Sequence, residues 1–175
     1  MSGLFILSGC SGGGKTTLLE ELSRRGFHTV PEPGLRIVRE ELAGSGRALP
    51  WVDPEAFAHR ALTMSRADLA GALAHGERPV FFDRGLVDAA AALEHALGRI
   101  APGSYDGAEA FERRVFLVPP WRANFRSSDE REHSYADACA EYERLVAVYD
   151  RLGFAARILP PESVEARADC VIAAL

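Results

Sequence analysis

The stretch Gly9-Cys10-Ser11-Gly12-Gly13-Gly14-Lys15-Thr16 restricts the possible folds of this chain more than any other. It satisfies the pattern G-x-x-x-x-G-K-[ST] at every specified position. That pattern works in one local setting: a buried strand delivers the chain to a tight turn, and a helix carries it away. Both are legible. Leu4-Phe5-Ile6-Leu7 is a short, continuously apolar run. Leu18, Leu19 and Leu22 recur at helical spacing over Thr16–Arg25, and Gly26 ends that helix. In such a turn the glycines let backbone N–H groups point inward, and the following helix aims its positive end at the same place. The result is a cradle for phosphate oxygens. Lys15 is also the chain's one lysine: of 20 basic residues, the other 19 are arginines. A GC-rich genome explains the arginines, but it does not explain where the lysine falls. A compact ammonium on a flexible stem fits inside a tight loop that a planar guanidinium would overfill.

The remaining chain alternates apolar strands and helices. Phe27–Val30 reads as a second strand, broken by Pro31-Glu32-Pro33-Gly34. Leu35, Val38 and Leu42 then recur at helical spacing up to Gly44. Asp53-Pro54-Glu55 is a helix start, with a cap, a proline in the first turn and an acid after it. Phe57, Ala61, Leu62, Leu69 and Leu73 carry that helix to Gly76. Pro79–Phe82 is a third strand, followed by an alanine-rich helix from about Leu86 to Leu97. Val115–Val118 is a fourth strand, closed by Pro119-Pro120. Ser134-Tyr135-Ala136-Asp137 carries a capping signal and opens a helix that Gly153 ends. Ala155–Leu159 is a fifth strand and Glu162–Ala174 a closing helix. Continuously apolar strands separated by helices predict an α/β fold: a parallel sheet with helices on both faces.

Bulk properties narrow the function. The 175 residues predict one domain, 1–175, with 47% hydrophobic and 26% charged residues. A net charge of −5 argues against a general nucleic-acid binder, so no nucleic-acid partner is expected. No segment approaches the roughly 20 apolar residues that span a bilayer, so no membrane partner is expected either. Cys10, Cys139 and Cys170 form no C-x-x-C pair and read as reduced thiols of a cytosolic protein. His28, His59, His75, His95 and His133 lack zinc-ligand spacing.

The chemistry follows from the loop. Residues Gly9 to Thr16, together with Thr17 in the first helical turn, are expected to bind the ATP phosphates. Lys15 reaches the β- and γ-phosphates and the Thr16 hydroxyl holds Mg²⁺. Asp83 ends the apolar run Val80-Phe81-Phe82-Asp83, where a second Mg²⁺ ligand belongs; a cap for the helix Leu86–Leu97 is the other use of that position. Hydrolysing ATPases of the AAA type place Glu next to activate water. Here Arg84 follows, and it cannot act as a base. Glu32, fixed between two prolines past the second strand, either orients and deprotonates an acceptor hydroxyl or is an exposed loop acid. Arg122, Arg126 and Arg131 follow the fourth strand. They either close over the transferring phosphoryl group or form a solvated face balanced by Asp129, Glu130 and Glu132.

The segments Ser8–Thr17, Pro31–Gly34, Phe82-Asp83-Arg84-Gly85 and Val115–Trp121 together resemble a group of bacterial P-loop proteins usually labelled AAA-domain ATPases. These are similar to the nucleoside and nucleotide kinases, including the kinase domain that phosphorylates ribosylnicotinamide. The resemblance covers nearly the whole chain. It implies a P-loop NTPase three-layer sandwich with a five-stranded parallel sheet in the order 2-3-1-4-5 and a lid at about 121–133. Deoxynucleoside kinases carry an acidic base for the acceptor hydroxyl at the position of Glu32. Thymidylate kinases carry Arg before that acid and an aromatic after Asp-Arg, where this chain has Pro31 and Gly85. The expected activity is Mg²⁺-dependent transfer of the ATP γ-phosphate to a nucleoside, nucleotide or similar hydroxyl compound. The alternative is a slow ATPase that acts as a switch on a protein partner. A GTPase is excluded, because its N-K-x-D motif needs a second lysine.

Overall fold

The structure is a computed structural model that describes residues 3–76, 79–122 and 134–175. Five parallel strands form one sheet: β1 (Leu4–Gly9), β2 (His28–Val30), β3 (Val80–Asp83), β4 (Arg114–Val118) and β5 (Ala155–Ile158). Their order is β2-β3-β1-β4-β5. Among the described residues, six α-helices connect and cover them: α1 (Lys15–Arg24), α2 (Pro33–Leu42), α3 (Pro54–His75), α4 (Leu86–Leu97), α5 (Tyr135–Arg151) and α6 (Val164–Ile172). No described helix is long and apolar enough to cross a membrane.

The sheet divides the core in two. On one side Phe5, Leu7, Phe81 and Phe116 pack with Leu18 and Leu22 of α1 and Ala168 and Val171 of α6. Phe5 stacks on Phe81 with ring centroids 5.5 Å apart. On the other side Ile6, Phe82, Val115 and Leu117 meet α3, α4 and α5. β1 is buried along its whole length because it lies in the middle of the sheet with a helical layer on each face. Alternate side chains of one strand therefore serve two cores, and a continuously apolar strand is the consequence.

Local signals set the helix starts. Asp53 caps α3 by accepting the Ala56 N–H at 2.9 Å, with Pro54 in the first turn. Ser134 and Asp137 form a reciprocal capping box at the start of α5. Such a cap is worth about 1 kcal/mol. Two expectations need correction and one gains detail. Pro31-Glu32-Pro33-Gly34 does break the second strand, which ends at Val30, and Pro33-Gly34 also forms the first turn of α2, with Glu32 at the N-cap. Proline suits that position, since its missing N–H would have no helical partner there. Leu42 and Leu73 point outward, at 52% and 50% exposure. In α3 the inward positions go to Leu69 and Ala72, and Leu73 lies one residue, about 100°, further round the helix. Finally, β5 is an exposed edge strand and is not covered on both faces.

Gly9 shows how closely β1 and β4 are matched. Its φ is +126°, and a Cβ there would overlap the Val118 carbonyl oxygen. Gly9→Ala combines backbone strain with a backbone clash. It is expected to destabilise the fold by about 3 kcal/mol or more, measured by urea denaturation. An unchanged midpoint would contradict this register.

Candidate active site

Sheet register builds the site. Leu7 lies level with Asp83, so the end of β3 sits beside the start of the glycine loop. Gly9 lies level with Val118, which brings Pro119, Pro120 and Trp121 to the loop's other flank. α1 then begins at Lys15, with Gly14 before it in the left-handed conformation. Lys15 is buried, and its Nζ donates to the Cys10 carbonyl at 2.6 Å. The Thr16 hydroxyl donates to Asp83 Oδ2 at 3.0 Å.

Asp83 is 1% exposed, and its other oxygen, Oδ1, has no hydrogen-bond partner among the described residues. Burial, and next the Glu32 carboxylate, push its pKa up to about 6, against the pull of Lys15, Arg84 and the Thr16 hydrogen bond. An orphaned buried carboxylate oxygen beside a threonine hydroxyl suits a hard cation with oxygen ligands. Thr16 and Asp83 therefore fit Mg²⁺.

Arg84 is the described non-glycine residue with positive φ, at 59°. That conformation costs an ordinary side chain roughly 1 kcal/mol or more. Its backbone N–H is held by the Leu7 carbonyl at 2.8 Å, and its side chain lies between two carboxylates. Arg84 Nε is 3.2 Å from Glu32 Oε1, and Nη1 donates to Glu141 Oε1 at 2.6 Å. Strained backbone held by its surroundings is a mark of a working site. The pair also brings Glu32 to the Asp83 end of the glycine loop.

Two further groups were missed in the sequence. Asp88, buried in the first turn of α4, accepts from the Ser8 hydroxyl at 2.5 Å, the Tyr149 hydroxyl at 2.7 Å and the Gly85 N–H at 3.1 Å. Burial raises its pKa, although Arg84 and these hydrogen bonds pull the other way. The network joins the residue before the loop to α4 and α5. Arg167 of α6 is 4% exposed and donates to the Gly13 carbonyl at 2.9 Å. No ion pair with a carboxylate is found for it among the described residues, and burial lowers its pKa. Its guanidinium lies 5.9 Å from the Trp121 ring centroid. A sequence signal for Arg167 did exist: it occupies an inward position between Val164 and Val171, where an apolar residue belongs.

The predicted residues separate accordingly. The structure brings the loop from Gly9 to Thr16, Asp83 and Glu32 together at one end of the sheet. Thr17 is exposed on the first turn of α1. Arg122 is exposed, with its guanidinium 5.3 Å from the Tyr135 ring centroid. Arg126 and Arg131, with most of the segment expected to form a lid, lie outside the described residues.

Comparison with known proteins agrees with this architecture. A family described as an AAA domain matches residues 4–167. The chain belongs to this AAA-domain family. No curated protein matches the sequence. Among solved structures, the AAA-domain protein is similar to deoxyadenosine kinase from M. mycoides with dCMP and a flexible dCDP bound. The TM-score is 0.58 at 16% identity, covering 98% of this chain and 97% of the other. Another structure of that kinase, with dATP bound, gives 0.59 at 16% identity and 98% of each chain. Thymidylate kinase from Ehrlichia chaffeensis gives 0.61 at 16% identity, covering 99% and 98%. At this identity the likeness concerns the fold, a P-loop nucleoside- and nucleotide-kinase fold.

Proposed function

We propose that this AAA-domain protein is an ATP- and Mg²⁺-dependent phosphotransferase that moves the γ-phosphoryl group to a hydroxyl of a nucleoside, nucleotide or similar small molecule. One observation supports the reading: the residue after Asp83 is an arginine held between the Glu32 and Glu141 carboxylates, where a hydrolase would keep an acid, and this makes Glu32 the candidate acceptor base. The glycine loop and Lys15 bind the donor phosphates. Thr16 and Asp83 would hold Mg²⁺, which when bound neutralises phosphate charge. Glu32 orients the acceptor and takes its hydroxyl proton. The hydroxyl oxygen attacks phosphorus, the bond to the β-phosphate oxygen breaks, and ADP leaves.

A cavity beside the loop supports a site for the donor base. A cavity of about 110 Å³ is lined by Gly13, Pro119, Trp121, Pro160 and Arg167. Trp121 and Arg167 offer planar surfaces suited to a purine. Arg167→Met keeps the stem and removes the guanidinium. It is expected to weaken ATP binding about tenfold by calorimetry while changing kcat less than threefold. Unchanged ATP affinity would remove Arg167 from the donor site.

The deciding experiment measures ADP formation across a panel of nucleosides, nucleotides and simple alcohols. A rate increase with one acceptor supports transfer. A slow rate that is equal with and without every acceptor rejects it in favour of a hydrolytic switch.

A further inference from the structure

A cavity of about 490 Å³ begins where Arg84, Asp88 and Glu141 come together and continues between α4 and α5. Its floor is small and apolar, with Ala91, Ala92 and Ala96 from α4, Leu145 from α5, and Phe57 of α3 at its side. The charges in its wall fall into two sets. One set is matched: Arg84 pairs with Glu32 and Glu141, Arg151 with Glu94, and Asp88 is filled by Ser8, Tyr149 and Gly85. The other set is not. His95 in the last turn of α4 and Arg99 just past its Gly98 C-cap line the cavity, and Arg144 lines it from α5. Among the described residues, none of these three side chains forms an ion pair or hydrogen bond. The unmatched groups of this wall are thus two permanent cations and a histidine, in a chain of net charge −5.

An apolar cavity with a few convergent polar groups is the ordinary make-up of a small-molecule site. A guanidinium beside low-dielectric walls attracts an anion more strongly than one in open water. Arg144 lies three residues beyond Glu141, about 5 Å along the helix, so an anion held there is separate from the group that reacts at Arg84. We infer that the cavity between α4 and α5 holds an acceptor carrying a second, anionic group, a carboxylate or a phosphate, on Arg99 and Arg144, with its apolar body over the alanine floor. This deepens the phosphotransferase reading and rests on it for the role of acceptor. The anion site itself stands on the cavity alone.

The test uses two dyes of similar shape: anionic 1-anilinonaphthalene-8-sulfonate and neutral N-phenyl-1-naphthylamine. Binding is followed by fluorescence with the glycine loop saturated by Mg²⁺ and a non-hydrolysable ATP analogue. The Arg99→Ala, Arg144→Ala double variant alters only exposed side chains, and an unchanged thermal midpoint checks its fold. The expected result is at least a tenfold rise in Kd for the sulfonate and less than a twofold change for the neutral dye. Equal effects on both dyes, no effect on either, or no sulfonate binding by the wild type overturns the proposal. Displacement then distinguishes the anion. Pantothenate acting where panthenol does not assigns a carboxylate; ribose 5-phosphate acting where ribose does not assigns a phosphate. Neutral compounds that displace as well as their charged counterparts, or displacement by none of the four, overturn the acceptor assignment. Absence of acceptor-dependent ADP formation would instead strike the phosphotransferase reading, which the effect of the double variant on dye binding does not use.

Discussion

Lys15→Ala is expected to lower ATP-dependent phosphoryl transfer by about 10³-fold or more while leaving the fold intact. Lys15 is the one lysine, is 5% exposed, and sits at the end of a glycine loop with its ammonium at the Cys10 carbonyl. Arg84, a described cation at the same end of the loop, is already engaged by two carboxylates. Each factor of ten in rate corresponds to about 1.4 kcal/mol, and a charged donor aimed at the transition state in a buried site supplies several such units. Lys15→Arg is expected to rescue little, because the guanidinium is bulkier than the loop admits. Single-turnover transfer to the acceptor that the ADP panel identifies measures both variants. Wild-type rates in Lys15→Ala, with an unchanged thermal midpoint, would refute the assignment of this lysine.

Asp83→Asn is expected to act in opposite directions on stability and activity. The carboxyl is almost wholly buried, and burial with the nearby Glu32 charge raises its pKa from 3.8 to about 6. The folded protein therefore holds this proton more tightly than the unfolded chain does. Between about pH 4 and pH 6 the folded state binds more protons, so the contribution of Asp83 to stability falls as pH rises through that window and stays low above it. The difference of about two pKa units corresponds to roughly 3 kcal/mol. The amide carries no charge to desolvate and still accepts from Thr16. In metal-free buffer near pH 7.5 the variant is expected to be more stable than wild type by about 1–3 kcal/mol, with the advantage fading toward pH 4. Urea titrations at both pH values measure it. The same change removes a cation ligand, so Mg²⁺-dependent transfer is expected to fall by about 10²-fold or more. A variant that is less stable at pH 7.5 would show that the buried charge is not a cost to the fold. Full activity would show that Asp83 does not hold the metal.

These two residues also show how much a linear reading can recover. Lys15 was identifiable because every element of its motif is contiguous. Asp83 was identifiable because a carboxylate at the end of an apolar run has few uses, and the register of β1 with β3 places it beside the loop. Glu32 was visible as an acid between prolines, but its pairing with Arg84 was not. Glu141 carried no signal: it is one acid among several on a helix, and only the packing of α5 brings it to Arg84. Ser8, Asp88 and Tyr149 meet across 80 and 61 positions of sequence, a separation that no local pattern encodes. Arg167 was overlooked for a different reason. An arginine at an inward helical position conflicts with the local pattern, and the carbonyl that accommodates it belongs to Gly13, 154 residues earlier.

The sequence by itself determined the alternation of strands and helices, the phosphate loop and its lysine, and the arginine that stands where a hydrolase would keep an acid. Each is local: periodicity, capping and loop geometry act over a few residues, so they can be read in order along the chain. The tertiary structure alone decided which carboxylates embrace Arg84, which residues buttress the loop from α6, and which cations line the cavity between α4 and α5. Those choices depend on how helices far apart in sequence pack on one sheet. The energy of a buried charge is set by the partners that packing brings to it, and not by its neighbours along the chain.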